Sequence, residues 1–105
     1  MKYKVLRTDT ADAHIRHIIL YIAERFGRDT ALEKLDELES ALLSLGDHPE
    51  RGTVPRNTVL KRQGYIVLVL PKDLVFYKID EDRKTVVIYA VVDQRQDYLN
   101  IIRGL

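Results

Sequence analysis

A chain of 105 residues, 46% of them hydrophobic and 31% charged, has the composition of one globular domain, which we place at residues 1–105. The absence of cysteine excludes disulfide bonds and metal sites made of thiolates. No apolar run approaches the roughly 20 residues that a membrane-spanning helix needs, and the first residues lack the apolar stretch of a signal peptide. We therefore expect a protein of the cytoplasm that makes no contact with the membrane.

The net charge of +1 conceals an uneven distribution. Residues 9–47 carry nine acidic and four basic side chains, whereas residues 48–105 carry seven acidic and ten basic ones. This distribution permits an anionic partner at one surface. A solvated helix face followed by strand-edge lysines is the simpler interpretation.

The predicted elements begin with a short strand and a helix. Residues 3–7 alternate apolar or aromatic side chains with basic ones, which is typical of a strand. Thr8 then offers an N-cap oxygen, and Gly27 a left-handed C-cap, to a helix between them. Apolar side chains recur at helical spacing in that segment and predict one buried stripe, formed by Ala11, Ile15, Ile18, Ile22 and Phe26.

A second helix is predicted from a capping box, in which Thr30 is followed three residues later by Glu33. An apolar seam continues at alternating spacings of four and three to Leu45, and Gly46 ends the pattern. About three residues would then separate the two helices, a connection short enough to predict an antiparallel helical hairpin.

After a turn-rich connector the apolar period changes from helical to strand-like. Four short runs are predicted as strands, separated by turns that permit only antiparallel pairing between neighbours. These runs are residues 59–62, 65–70, 74–80 and 85–92. The predicted fold class is therefore α+β, with an N-terminal strand and a two-helix hairpin packed on an antiparallel sheet of three to four further strands.

Two of these runs, residues 65–70 and 86–92, are apolar on both alternating faces, whereas an antiparallel sheet with one wet face should alternate. Two helices can cover one face only. The C-terminal tail, a second copy or a different chain must then cover part of the other face. An uncovered apolar strip would be a partner site or an aggregation liability.

Five segments, in this order and spacing, resemble the RelE/ParE toxin superfamily of type II toxin–antitoxin systems. They are YIAERFG at 21–27, HPERG at 48–52, GY at 64–65, LVFYKID at 74–80 and DQRQDY at 93–98. The resemblance implies a helical hairpin on a curved antiparallel sheet, growth inhibition of the kind used in plasmid stabilisation, and a cognate antitoxin. In this superfamily a disordered antitoxin segment folds across the toxin when it binds.

Such a segment would supply the cover that the strands require. The candidate antitoxin-binding residues are alternate side chains of the two doubly apolar runs: Tyr65, Val67, Val69, Val87, Tyr89 and Val91.

The superfamily contains two activities. RelE-like members cut messenger RNA on the ribosome, which makes them enzymes, and ParE-like members inhibit DNA gyrase by binding it. Attack by the 2′-hydroxyl needs groups that move protons and cations that hold the phosphorane charge. The nuclease relatives place basic residues at the positions of 66–68 and 74, which are aliphatic here. Asp93 stands where many of them carry a histidine, and its carboxylate would repel a phosphate.

These replacements favour a ParE-like inhibitor of DNA gyrase. A ribosome-dependent mRNA endonuclease that uses Arg95 as phosphate clamp and Tyr98 as hydroxyl is the alternative, and an inactive partner-binding relative is a third. The candidate target-binding residues are Lys61, Arg62, Arg95, Tyr98 and Arg103. Structural roles compete for two of them, because Arg95 can pair with a neighbouring aspartate and Tyr98 can pack against the hairpin.

His14 and His17 lie one turn apart on the first helix and could share a metal ion with Asp12. The sequence places no further strong ligand beside them, so a solvated helix face is the better interpretation. We expect neither a metal nor a cofactor.

Overall fold

The computed structural model describes residues 2–95 and shows an α+β fold, which confirms the predicted class. The elements are β1 (Lys4–Arg7), α1 (Asp9–Phe26), α2 (Arg28–Asp47), a 3-10 turn (Pro49–Arg51), α3 (Thr58–Arg62), β2 (Ile66–Val69), β3 (Asp73–Asp80) and β4 (Thr85–Asp93). Within that part of the chain, no helix combines the length and the apolar character needed to cross a bilayer.

The four strands form one sheet in the order β1-β4-β3-β2. β2 pairs with β3 and β3 with β4 in antiparallel fashion, as the short turns predicted. β1 lies beside β4 and runs parallel to it, so the sheet is mixed. The reason is that the whole helical hairpin and two strands separate β1 from β4, and no tight turn forces an antiparallel pair.

The helical hairpin turns within a single residue. Gly27 has a φ of +93°, which glycine adopts without the strain that a Cβ would cause, and it stands between the end of α1 and the start of α2. Its carbonyl already accepts the N–H of Ala31 at 3.2 Å. The predicted capping box is therefore wrong, because Thr30 and Glu33 lie inside α2 instead of at its start.

The buried stripe of α1 is shorter than predicted. Ala11 and Ile15 are buried in the core, and Ile18 is partly buried against it. Phe26, at the turn of the hairpin, is 66% exposed, so the expectation that it is a core residue is wrong.

The prediction of a strand at residues 59–62 is also wrong, since these residues belong to α3. The side chain of Asn57 accepts the N–H of Leu60 at 3.1 Å and so caps the helix. This local hydrogen bond decides the structure of a segment whose apolar content alone is compatible with either element.

The main hydrophobic core lies between the hairpin and one face of the sheet. The helices contribute Ala11, Ile15, Leu38, Leu42 and Leu45, and the strands contribute Leu68, Val75, Tyr77, Val86, Ile88 and Val91. The Tyr77 hydroxyl donates to the Pro49 carbonyl at 2.6 Å and accepts the Gly52 N–H at 3.0 Å. A Cβ at position 52 would stand 2.5 Å from that hydroxyl, so the connector needs glycine there.

A second, smaller cluster lies on the opposite face of the sheet, which α1 and α2 do not cover and which we call the open face. There α3 brings Leu60 against Tyr65, Phe76, Ala90 and Val92. The sequence correctly indicated that this face needs cover. It did not indicate α3, which supplies part of that cover from within the chain.

A β-bulge interrupts the pairing of β3 with β4. Phe76 pairs with Ala90, but its neighbour Tyr77 pairs with Ile88, so Tyr89 is an extra residue. The extra residue reverses which face of the sheet each following side chain occupies, so Val91 lies in the core on the helix side. The N–H of Val91 donates to Nδ1 of His14 at 3.3 Å, which ties α1 to the edge of β4 beyond the end of β1.

Candidate functional site

The open face carries partly exposed apolar side chains on all four strands. Leu6 on β1 pairs with Val87 on β4, and side chains at paired positions lie on the same face. Leu6 is 44% exposed, and Val69 on β2 is 59% exposed. We call the following residues the apolar strip: Leu6, Val67, Val69, Leu74, Val87 and Tyr89.

The structure brings five of the six candidate antitoxin-binding residues to this face. Four of them, Val67, Val69, Val87 and Tyr89, belong to the apolar strip, and Tyr65 is buried within the second cluster. The sixth, Val91, is buried among the helices because of the bulge. Its assignment to the exposed surface is therefore wrong.

Lys78 lies on the open face, where it pairs with Val87, between two tyrosines. Its ammonium is 4.5 Å from the centroid of the Tyr65 ring and 5.2 Å from that of Tyr89. The two rings meet edge to face, with centroids 5.5 Å apart. Burial, and after it the electrostatic interaction with the neighbouring Tyr89 phenol, raises the pKa of the Tyr65 hydroxyl above its ordinary value. We call Tyr65, Lys78 and Tyr89 the lysine cage.

Sequence reasoning found the two tyrosines of the lysine cage but missed Lys78, and it also missed Leu6. A signal for Lys78 was present, because a lysine interrupts the otherwise apolar run of β3 at an open-face position. No comparable signal existed for Leu6. Its face depends on the parallel pairing of β1 with β4, which lies outside the reach of local sequence patterns.

A basic segment borders the open face. Residues 51–72 contain five lysines and arginines and no aspartate or glutamate. This segment includes α3, which carries the target-binding candidates Lys61 and Arg62 as exposed side chains. Within residues 2–95, neither forms an ion pair with an acidic side chain.

Arg95 lies at the end of β4 and is bound to Asp93. The carboxylate of Asp93 accepts the backbone N–H of Arg95 at 2.8 Å, its Nε at 3.1 Å and its Nη2 at 3.0 Å. These hydrogen bonds hold the pKa of Asp93 below its ordinary value. The local ion pair considered from the sequence is thus present. Tyr98 and Arg103, the remaining candidates, lie outside the described residues.

A buried ion pair lies at the same end of the sheet. Lys34 on α2 binds the carboxylate of Asp73, which is 2% exposed. Asp73 and Asp93 face each other across β3 and β4, an arrangement that is repulsive between like charges. Lys34 and Arg95 each neutralise one of the two carboxylates, so the four charges balance and connect the hairpin to the sheet.

The positions at which the resemblance implies cations in nuclease relatives are aliphatic here and divided between the two faces. Leu68 is buried in the helix-side core, and Ile66 packs against it. Val67 and Leu74 belong to the open face. None of these four side chains can transfer a proton or hold phosphate charge.

No metal site forms among residues 2–95, where no group of three histidine, cysteine, aspartate or glutamate side chains comes together. His14 is engaged by Val91 instead. Burial, and after it the charge of His17, lowers the pKa of His14 below its ordinary value.

Residues 5–98 match the family described as the ParE toxin of the type II toxin–antitoxin system parDE. The chain belongs to this family. It is therefore the toxin of a type II toxin–antitoxin system, within the RelE/ParE superfamily that the sequence resembled. No curated protein matches this toxin significantly.

Solved structures share the fold of this ParE-family toxin at low sequence identity. The chromosomal ParDE system from P. aeruginosa gives a TM-score of 0.72 and 16% identity over 88% of this chain and 96% of that one. The RelBE2 toxin–antitoxin complex from Mycobacterium tuberculosis gives 0.67 and 21%, covering 90% and 100%. The isolated E. coli RelE toxin gives 0.57 and 14%, covering 98% and 99%.

Proposed function

We propose that this ParE-family toxin acts in the cytoplasm by binding DNA gyrase and inhibiting it, and that a cognate antitoxin neutralises it by covering the open face. The proposal makes the toxin a binding protein without a catalytic set. It assigns target recognition to basic side chains that include Lys61, Arg62 and Arg95.

The observation that carries the proposal is the aliphatic nature of positions 66, 67, 68 and 74. Leu68 is a core residue on the helix side and Ile66 packs against that core, so their replacement by cations would require a rearranged core. The other two belong to the open face and are valine and leucine. General acid–base catalysis and phosphorane stabilisation both need polar groups that these positions do not supply.

The environment of Arg95 supports the same proposal. Its guanidinium is bound to Asp93, so a phosphate would have to compete with a carboxylate that is already hydrogen-bonded to it. Its side chain is nevertheless 82% exposed. An exposed arginine of this kind suits a protein interface, where arginine is an enriched residue.

The proposal of an antitoxin partner is supported by the fold and by the exposed apolar side chains. Two of the similar structures are a ParDE system and a RelBE2 toxin–antitoxin complex. The apolar strip leaves aliphatic side chains partly in water, and a protein partner would bury them.

The experiment that tests the proposed target is supercoiling of relaxed plasmid by purified gyrase. Added toxin should inhibit supercoiling in a dose-dependent way. Toxin premixed with the product of the adjoining reading frame, which we expect to be the antitoxin, should leave supercoiling intact. Unchanged supercoiling with toxin in excess over gyrase would contradict the proposal.

A further inference from the structure

The lysine cage gives the open face a chemical preference. We propose that the open face receives an acidic and apolar segment of the antitoxin, one carboxylate of which pairs with Lys78 between Tyr65 and Tyr89. This inference rests on the proposed function, because the partner is the antitoxin invoked there. It adds the chemistry of that partner and the residue that recognises it.

The geometry of Lys78 leaves its ammonium available to an anion. The two tyrosine rings hold the ammonium through their faces, 4.5 and 5.2 Å away, and a ring face accepts a cation without occupying all of its N–H donors. No carboxylate among residues 2–95 forms an ion pair with Lys78. Because Lys78 is partly buried among apolar neighbours, a carboxylate that reaches it is screened less than at an exposed lysine.

The apolar strip defines the second requirement. It surrounds the lysine cage on both sides, with Leu6 and Val87 towards β1 and with Val67 and Val69 on β2. A partner that supplies only charge would leave these side chains in water. A segment that places apolar side chains beside its acidic one removes the apolar strip from water, which favours the complex.

The bordering charges favour an acidic segment over a neutral one. The basic segment, residues 51–72, carries Arg56, Lys61 and Arg62 as exposed side chains and no acidic residue. The helix α3 belongs to the basic segment and packs on the open face. The charges of α3 therefore lie beside the apolar strip. An acidic partner is complementary to them in sign.

The same charges disfavour two other occupants. A second copy of this chain would bring a basic segment and a lysine cage against identical ones, and like charges across an interface are repulsive. A nucleic acid would match the charge. However, apart from the two tyrosines of the lysine cage, the apolar strip offers no aromatic surface on which nucleic-acid bases could stack.

The experiment measures the affinity of the full-length toxin for the purified product of the adjoining reading frame, by calorimetry at low and at physiological salt. The test variant is Lys78→Met, which removes the charge and keeps an unbranched side chain. The control is Lys84→Met, because Lys84 also lies over a tyrosine ring, that of Tyr3 at 5.3 Å, but at the β3–β4 turn.

We expect Lys78→Met to weaken binding about tenfold and to make the affinity less dependent on salt, and Lys84→Met to change it less than about twofold. Lys78→Glu should weaken binding further through repulsion. Circular dichroism of each variant checks that the fold is retained.

Equal affinities for the two methionine variants would overturn the inference. So would loss of self-association or of oligonucleotide binding in Lys78→Met with antitoxin affinity unchanged. If the unaltered toxin binds the adjoining product, the proposed antitoxin stands whatever the variants show. If it does not bind, the antitoxin assigned in the proposed function fails, whereas the supercoiling assay still decides the proposed inhibition of gyrase.

Discussion

At the scale of single residues, two ion pairs at one end of the sheet differ in burial and therefore in their expected contribution to stability. Arg95→Ala removes an exposed partner of Asp93, and we expect the free energy of unfolding to change little. Lys34→Met leaves the buried carboxylate of Asp73 without its cation, at a cost of about 3–5 kcal/mol. Urea denaturation measures both. A loss for Arg95→Ala as large as that for Lys34→Met would contradict the accessible position assigned to Arg95.

His14 gives the toxin a pH-dependent stability. Burial, with a further contribution from His17, lowers its pKa below the ordinary 6.5, so between those two values the unfolded chain binds more protons than the folded one. The free energy of unfolding therefore decreases as the pH falls through 6.5 towards the lowered pKa.

Thermal unfolding between about pH 7.5 and 5.5 measures this effect. His14→Gln should flatten the dependence, whereas His48→Gln, at an exposed position, should keep it. A His14→Gln variant with the original pH dependence would show that another group is responsible.

At the scale of elements, one hydroxyl links the connector between α2 and α3 to β3. Tyr77→Phe deletes the hydrogen bonds to Pro49 and Gly52 and leaves their backbone groups without that partner, at a cost of about 1–3 kcal/mol. Tyr89→Phe is the matched control, because its hydroxyl makes no hydrogen bond to a residue within 2–95. Chemical denaturation distinguishes the two. Equal stabilities would mean that Tyr77 contributes by packing alone.

The elements also show where sequence patterns suffice. The long apolar periods of α1 and α2 and the run of β4 were predictable, because periodicity and burial coincide over many residues. The helix α3 was not predictable from its pattern. Its five residues have a composition that suits a strand, but the N-cap hydrogen bond from Asn57 favours a helix. The one-residue hairpin turn was missed because a positive φ at Gly27 permits a tighter reversal than the capping box indicated.

The candidate site was only partly predictable for the same kind of reason. Strict alternation placed Val67 and Val87 on the open face correctly, since neither side chain lies in the main core cluster. It failed at Val91, because a single extra residue at Tyr89 reverses the facing of everything beyond it. The lysine cage depends on pairing between β2, β3 and β4, and no local pattern encodes the distance between its members.

At the scale of the whole molecule, the fold divides its two kinds of surface between two faces of one sheet. The hairpin, which carries most of the acidic side chains, packs on one face, and the basic segment borders the other. The fold is shared with the isolated E. coli RelE toxin at a TM-score of 0.57. In this ParE-family toxin the open face carries apolar side chains and the ammonium of Lys78. The proposed function is that the toxin acts through the protein that it binds.

The most direct test of this claim maps the 5′ ends of a messenger RNA on translating ribosomes after addition of the purified toxin. We predict an intact transcript at toxin concentrations that inhibit gyrase supercoiling. New 5′ ends at defined positions, lost when Arg95 is replaced by alanine, would show instead that the toxin is a nuclease and contradict the account.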